Sequence, residues 1–178
     1  PSSHLDDKLK VASAVVAGTY LARDVSNEPP NICTPAFLAS TAADIAERHG
    51  LEAIILDDAQ IAEKGFNLIH AVGRGASDKP RFIHLTYRGA GEITRRIAFV
   101  GKGVTFDTGG YSLKPSASQT NMHLDMCGAA AVLGAAESIG RIAPDNVEVH
   151  FIVPSVKNSV SDNAYTVNEI ITGYGGKS

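Results

Sequence analysis

The chain of 178 residues has no tryptophan, only two cysteines and two methionines, and aromatic residues at just 6%. Each shortage closes off a class of protein. Cys33 and Cys127 are too few for a disulfide framework and fit a reducing, cytoplasmic setting. Neither sign of charge dominates. Sixteen Lys and Arg against nineteen Asp and Glu leave a net charge of −3, so the basic footprint of a nucleic-acid binder is missing. The apolar and glycine stretch at residues 129–136 falls far short of the ~20 residues that span a bilayer. The opening Pro1-Ser2-Ser3-His4-Leu5-Asp6-Asp7 has neither the cationic nor the apolar part of a secretory signal. What is present, 44% hydrophobic and 20% charged residues, suits a soluble domain with a real core. A start at proline and a finish at Gly175-Gly176-Lys177-Ser178 predict a segment of a longer protein.

Helical spacing of Leu5, Leu9, Ala12, Val16 and Tyr20 predicts an amphipathic helix over residues 6–23, with that stripe buried. Asn27-Glu28-Pro29-Pro30-Asn31 ends it, because paired prolines exclude a continuing helix. Thr34-Pro35 reads as an N-cap followed by proline in the first turn, and Gly50 as a stop, giving a second helix over 36–49. Strands are expected at 51–56, 81–87, 95–100 and 147–153, and further helices near 58–64 and 125–139. Residues 66–72 fit either state, and 88–92 read as a hairpin-type loop. Alternating strands and helices predict an α/β fold: a three-layer sandwich with a mixed, mostly parallel sheet, at least one antiparallel edge, and flanking helices.

The chemistry concentrates in G-K-G-V-T-F-D-T-G-G-Y-S-L-K-P-S-A-S-Q-T-N-M-H-L-D-M-C-G, residues 101–128, between a strand and a helix. Loops at the carboxyl ends of strands are where α/β sheets bind ligands. Lys102, Asp107, Lys114 and Asp125 all lie here, and two converging carboxylates need a cation or a shared proton. Oxygen ligands of this kind suit divalent metals. A surface loop whose charges pair with one another is the plainer reading. A phosphate cradle is a third, although neither standard glycine-lysine spacing is present.

The residues Val100-Gly101-Lys102-Gly103-Val104-Thr105-Phe106-Asp107-Thr108-Gly109-Gly110, then Leu113-Lys114-Pro115, then Met122 through Asp125-Met126, resemble the leucyl (cytosol) aminopeptidase family. Ala22-Arg23-Asp24, Asn27-Glu28-Pro29-Pro30-Asn31 and Thr34-Pro35 are similar to the opening of that family's catalytic domain. The 5-, 7- and 11-residue separations of Lys102, Asp107, Lys114 and Asp125 match its pattern. The resemblance implies that residues 1–178 are the N-terminal part of a metallo-aminopeptidase catalytic domain, without the family's N-terminal domain or the rest of the catalytic domain. It implies hydrolysis of N-terminal, leucine-like residues from peptides by two divalent ions, zinc or manganese, with magnesium or cobalt as further options. Lys102, Asp107 and Asp125 would be metal ligands, Asp107 bridging both ions. Lys114 would be the electrophile beside the scissile carbonyl, Met122 would line the first-residue pocket, and Asp125 would also face the substrate amine.

A lysine amine binds metal only when deprotonated, whereas free lysine holds its proton to about pH 10.4; a neighbouring dication supplies the drive. Lys114 needs the opposite state, a fixed positive charge for an oxyanion. The family's remaining ligands, in an Asn-Thr-Asp-Ala-Glu-Gly-Arg motif whose arginine holds a bicarbonate, are expected beyond Ser178. A cytoplasmic homohexamer is also implied. The competing class is a catalytically silent structural or binding homologue. Cys127 is expected as a small buried thiol, and His123 outside the ligand set. Cys33, His70, His84 and His150 are expected as packing residues, His49 as a helix C-terminal charge, Glu28 as a loop-fixing residue, and Asp57-Asp58 as a cap.

Overall fold

The computed structural model describes residues 2–178, with side chains from Leu5 onward. Among them the order is α1 (Ser2–Asn27), α2 (Pro35–His49), β1 (Glu52–Leu56), α3 (Asp58–Glu63), α4 (Asn67–Gly73), β2 (Arg81–Arg88), β3 (Arg95–Val100), β4 (Gly103–Asp107), α5 (Ser116–Gln119), a 3-10 turn (Met122–Met126), α6 (Cys127–Ile142) and β5 (Val147–Asn158). Local chemistry sets the boundaries that sequence signals predicted. Thr34 Oγ1 accepts from the Phe37 N–H at 3.2 Å, Pro35 opens α2, and Gly50 closes it at φ 67°. Asp57 and Gln60 form a reciprocal capping box at the start of α3.

The long strand β5 is the centre of a five-stranded mixed sheet. On one side it pairs antiparallel with β2, which pairs antiparallel with β1. On the other side β3 and β4 follow one another along the same edge, both parallel to β5. The expected mostly parallel sheet is therefore corrected: its longest ladder, β2 with β5, is antiparallel. The hairpin expected at 88–92 does not form either, because β5 lies between β2 and β3. The sequence order hides this, since the strand that separates them comes much later in the chain, Arg95 of β3 standing opposite Val147 of β5.

One sheet face carries Ile83, Leu85, Tyr87, Val149, Phe151 and Val153 into a core with Leu38, Ala42 and Ile45 of α2 and Ala129, Leu133 and Ala136 of α6. On the opposite face Phe82 meets Phe66, just before α4, at a ring separation of 5.0 Å. Helix α1 packs along α6, but not with the predicted stripe. Leu5, Leu9, Val16 and Tyr20 are exposed, whereas Ala14, Gly18 and Val25 face inward. A Cβ on Gly18 would come within 2.2 Å of the Gly134 carbonyl oxygen, and Ser138 Oγ donates to Ala14 O at 3.1 Å. Backbones that close exclude large side chains, so the small residues define the buried face. No described helix is long and apolar enough to cross a membrane.

Candidate active site

The edge strand breaks at Gly101 and Lys102. The Gly101 N–H still donates to Ile152 O, while Lys102 O turns away and accepts from the Ala129 N–H at 2.9 Å, tying the break to the start of α6. Only glycine permits this approach, because a Cβ at position 101 would lie 2.4 Å from the Gly128 carbonyl oxygen. The pairing with β5 then resumes as β4, a strand not among those expected from the sequence. The break turns the Lys102 side chain outward, 58% exposed, where its Nζ meets Asp125 Oδ2 at 3.3 Å.

Asp107 ends β4 and forms the second half of the site. Its Oδ2 accepts from Lys114 Nζ at 2.7 Å, and its Oδ1 from the Gly109 N–H at 2.9 Å and Asn158 Nδ2 at 2.7 Å. Gly109, at φ 89°, makes the turn that brings the chain back so that Lys114 N–H donates to Thr108 O. Burial opposes the Asp107 charge, but the bonds from Lys114, Gly109 and Asn158 outweigh it and hold the carboxyl below the ordinary range. Lys114 Nζ also lies 3.0 Å from Met122 Sδ.

The fold thus brings the predicted residues together as two pairs, Lys102 with Asp125 and Asp107 with Lys114, with Met122 against the second. Among the described residues, no three His, Cys, Asp or Glu side chains converge as a complete metal cage. Asn158 was missed by sequence reasoning. It comes from the far end of β5, and the polar Lys157-Asn158 pair closing an apolar strand was the available signal. Cys127 is exposed, contrary to the buried thiol expected, because it occupies the first, outward position of α6. Cys33 is buried as expected, and burial, with Glu28 nearby, pushes its thiol up to about 11.

A bent edge strand of a mixed α/β sheet, with lysines and carboxylates paired at its carboxyl end, places charged groups where α/β domains bind ligands. The family model for the Peptidase M17 cytosol aminopeptidase family, catalytic domain, matches residues 20–178, and the chain belongs to that family. It is 48% identical over 165 residues to a "Probable cytosol aminopeptidase" of Synechococcus sp. (strain CC9605), covering 92% of this chain and 34% of that protein. A like-named protein of Prochlorococcus marinus (strain MIT 9211) is 47% identical over 163 residues, covering 91% and 33%. The chain spans about a third of the length of the curated relatives it matches.

Proposed function

We propose that the protein is a two-metal aminopeptidase that hydrolyses N-terminal residues, leucine among them, from peptides, and that residues 1–178 supply the first part of its catalytic domain, in a three-layer arrangement when complete. The observation that carries this reading is the convergence of Lys102 with Asp125 and of Asp107 with Lys114 and Met122 at one strand end.

The donor chemistry fits divalent metal. Lys102 Nζ and Asp125 Oδ2, 3.3 Å apart, have the separation of two donors on one ion with bonds of about 2.1 Å. Lys102, Asp107 and Asp125 would hold zinc or manganese, with magnesium and cobalt also suited to this set. When bound, two such ions supply Lewis acidity to the scissile carbonyl and to the attacking water.

The chain's own residues do the rest. Asp107, held below the usual carboxylate range, stays ionised at neutral pH beside the Lys114 ammonium. Asn158 and Gly109 fix its Oδ1, so its orientation does not depend on Lys114. The flexible Lys114 stem lets its ammonium turn from Asp107 to the oxyanion that develops on the carbonyl. Met122 borders the space for the first side chain, and Asp125 attracts the substrate's amino group.

Bicarbonate would serve as general base in the complete enzyme, as the resemblance implies. The exposed stripe of Leu5, Leu9, Val16 and Tyr20 supports assembly into a homo-oligomer, a hexamer by resemblance. The two unpaired cysteines support a cytoplasmic location. The test is metal content and leucyl-peptide hydrolysis by the full-length protein. Two ions per chain with metal-dependent release of the N-terminal residue are expected. A fully loaded protein that releases no N-terminal residue from any peptide would leave the silent-homologue reading in its place.

A further inference from the structure

The loop that carries Lys114 leaves the end of β4 and folds back to it, and one hydroxyl holds its shape. Thr108 Oγ1 donates to Asn158 O at 2.9 Å and accepts from the Gly110 N–H at 3.1 Å. The Thr108 N–H reaches the same Asn158 carbonyl at 3.1 Å, and Thr108 O accepts from the Lys114 N–H at 2.9 Å. Every polar group of Thr108 is therefore used, and each bond ties the loop to β5 or to itself. Gly109 and Gly110 lie between these ties at φ 89° and 62°, a region that glycine enters freely. Two such residues in a row lend the loop no stiffness of their own, so the ties hold it.

The far side of Lys114 is held as well. Gln119 Nε2, from α5, donates to Lys114 O at 2.8 Å. The lysine stem runs over the bare face of Gly109, where a Cβ would come within 3.1 Å of Lys114 Cγ. The root of the side chain is thus fixed at both of its backbone groups, while the ammonium at its tip reaches Asp107 Oδ2, 2.7 Å away. Asp107 has a hold that needs nothing from the loop: Asn158 Nδ2 grips its Oδ1 at 2.7 Å, whereas the Asn158 main-chain carbonyl serves Thr108. One residue of β5 anchors carboxylate and lysine through different atoms, so the two can be disturbed one at a time.

We propose that Thr108 is the positioning residue for Lys114, with Gln119 as its second hold, setting where the ammonium stands when charge develops on the scissile carbonyl. The inference rests on the aminopeptidase reading, in which Lys114 meets that oxyanion. A preorganised charge acts only at the correct distance, and a shift of about 1 Å in such a group costs about a hundredfold in rate. Thr108 has no contact of its own with the reacting atoms in this scheme. Its effect passes through Lys114 and falls on kcat.

The test uses the full-length protein carrying Thr108→Val, which keeps the side-chain shape and removes both hydroxyl bonds, with Thr108→Ser as the conservative rescue. In the valine variant kcat for a leucyl peptide should fall about ten- to a hundredfold with KM and metal content near parental, and serine should restore it to within about threefold. Gln119→Leu should lower kcat about two- to fivefold. Amide hydrogen exchange at Gly110 and Lys114 should speed up at least about tenfold in the valine variant, while the β5 amides stay protected. A parental kcat in Thr108→Val, a serine variant as slow as the valine one, or parental exchange at both amides would overturn the proposal. Metal lost along with activity would overturn it too, by making the hydroxyl a general support of the site. If the parent hydrolyses no peptide, the aminopeptidase reading fails by itself, and exchange alone decides whether Thr108 holds Lys114. Should Thr108→Val not fold, Gln119→Leu decides by the same separation of kcat from KM.

Discussion

Glu137 offers the sharpest test of how the helical layer is held. It sits on α6 with a side chain 3% exposed and receives three donors: Arg48 Nη2 at 2.9 Å, His49 Nε2 at 3.0 Å and Arg141 Nε at 2.6 Å. Two of them come from the last turn of α2, so one carboxylate joins the C-terminus of α2 to α6. Burial works against its charge, but the bonds from Arg48, Arg141 and His49 prevail and bring its pKa from 4.5 to about 2. A folded-state pKa below the unfolded one means that the contribution is fully present above about pH 4.5 and is lost as pH falls toward 2. Taken whole, that shift is about 3.4 kcal/mol at 1.36 kcal/mol per pH unit. Both guanidiniums are 47% exposed and water screens them, so we expect about 2 kcal/mol from the intact cluster. Urea unfolding of Glu137→Gln against the parent chain checks it. The variant should lose about 2 kcal/mol at pH 7, and the gap should shrink steadily below about pH 4. A loss under about 0.5 kcal/mol, or a gap that does not change with acid, would refute the reasoning.

Replacing Lys114 by Met in the full-length protein should lower kcat for a leucyl peptide by about 10²–10³-fold with little change in KM, because the ammonium serves charge that develops only in the transition state; an equal kcat would remove it from the machinery. Asp107→Asn should lower metal stoichiometry measured by atomic emission, and unchanged metal content would exclude Asp107 as a ligand. Gly101→Ala puts a methyl 2.4 Å from the Gly128 carbonyl oxygen; it should cost about 1–3 kcal/mol in unfolding and displace Lys102, and a variant of parental stability would contradict the close approach. In a thiol titration of the native chain Cys127 should react at once and Cys33 only after unfolding, given their exposed and buried positions; prompt reaction of both would contradict that burial.

The parts of this fold that were legible in the sequence are those whose causes are local. Thr34-Pro35, Gly50 and the Asp57 cap act within one helical turn, and each stands where its spelling put it, while the return bond from Gln60 was not read. The four charged residues of the candidate site lie within 24 positions of one another, and a spacing pattern can carry that much. What failed needs distance or sterics. Hydrophobic periodicity pointed Leu5, Leu9, Val16 and Tyr20 inward, but the contact of α1 with α6 is decided by how closely Gly18 and Gly134 let two backbones approach. Periodicity measures apolar area and is blind to that. The strand order depends on β5 entering between β2 and β3, a pairing between segments that share no local signal.

The same division runs through the site itself. Asp107 was found from its neighbours in sequence, yet its orientation comes from Asn158, 51 residues away, across the β4–β5 ladder. That ladder keeps Asp107 opposite Asn158 despite an irregular register between Val104 and Asp107. The irregularity lets β4 curl while its last residue stays anchored, and the anchor holds Oδ1 so that Oδ2 alone faces Lys114. A carboxylate with one oxygen committed to the scaffold and the other to a lysine is pre-oriented without being used up, which suits the metal-ligand role proposed for Asp107. The candidate site therefore owes its residues to a short motif and its geometry to the longest strand in the sheet.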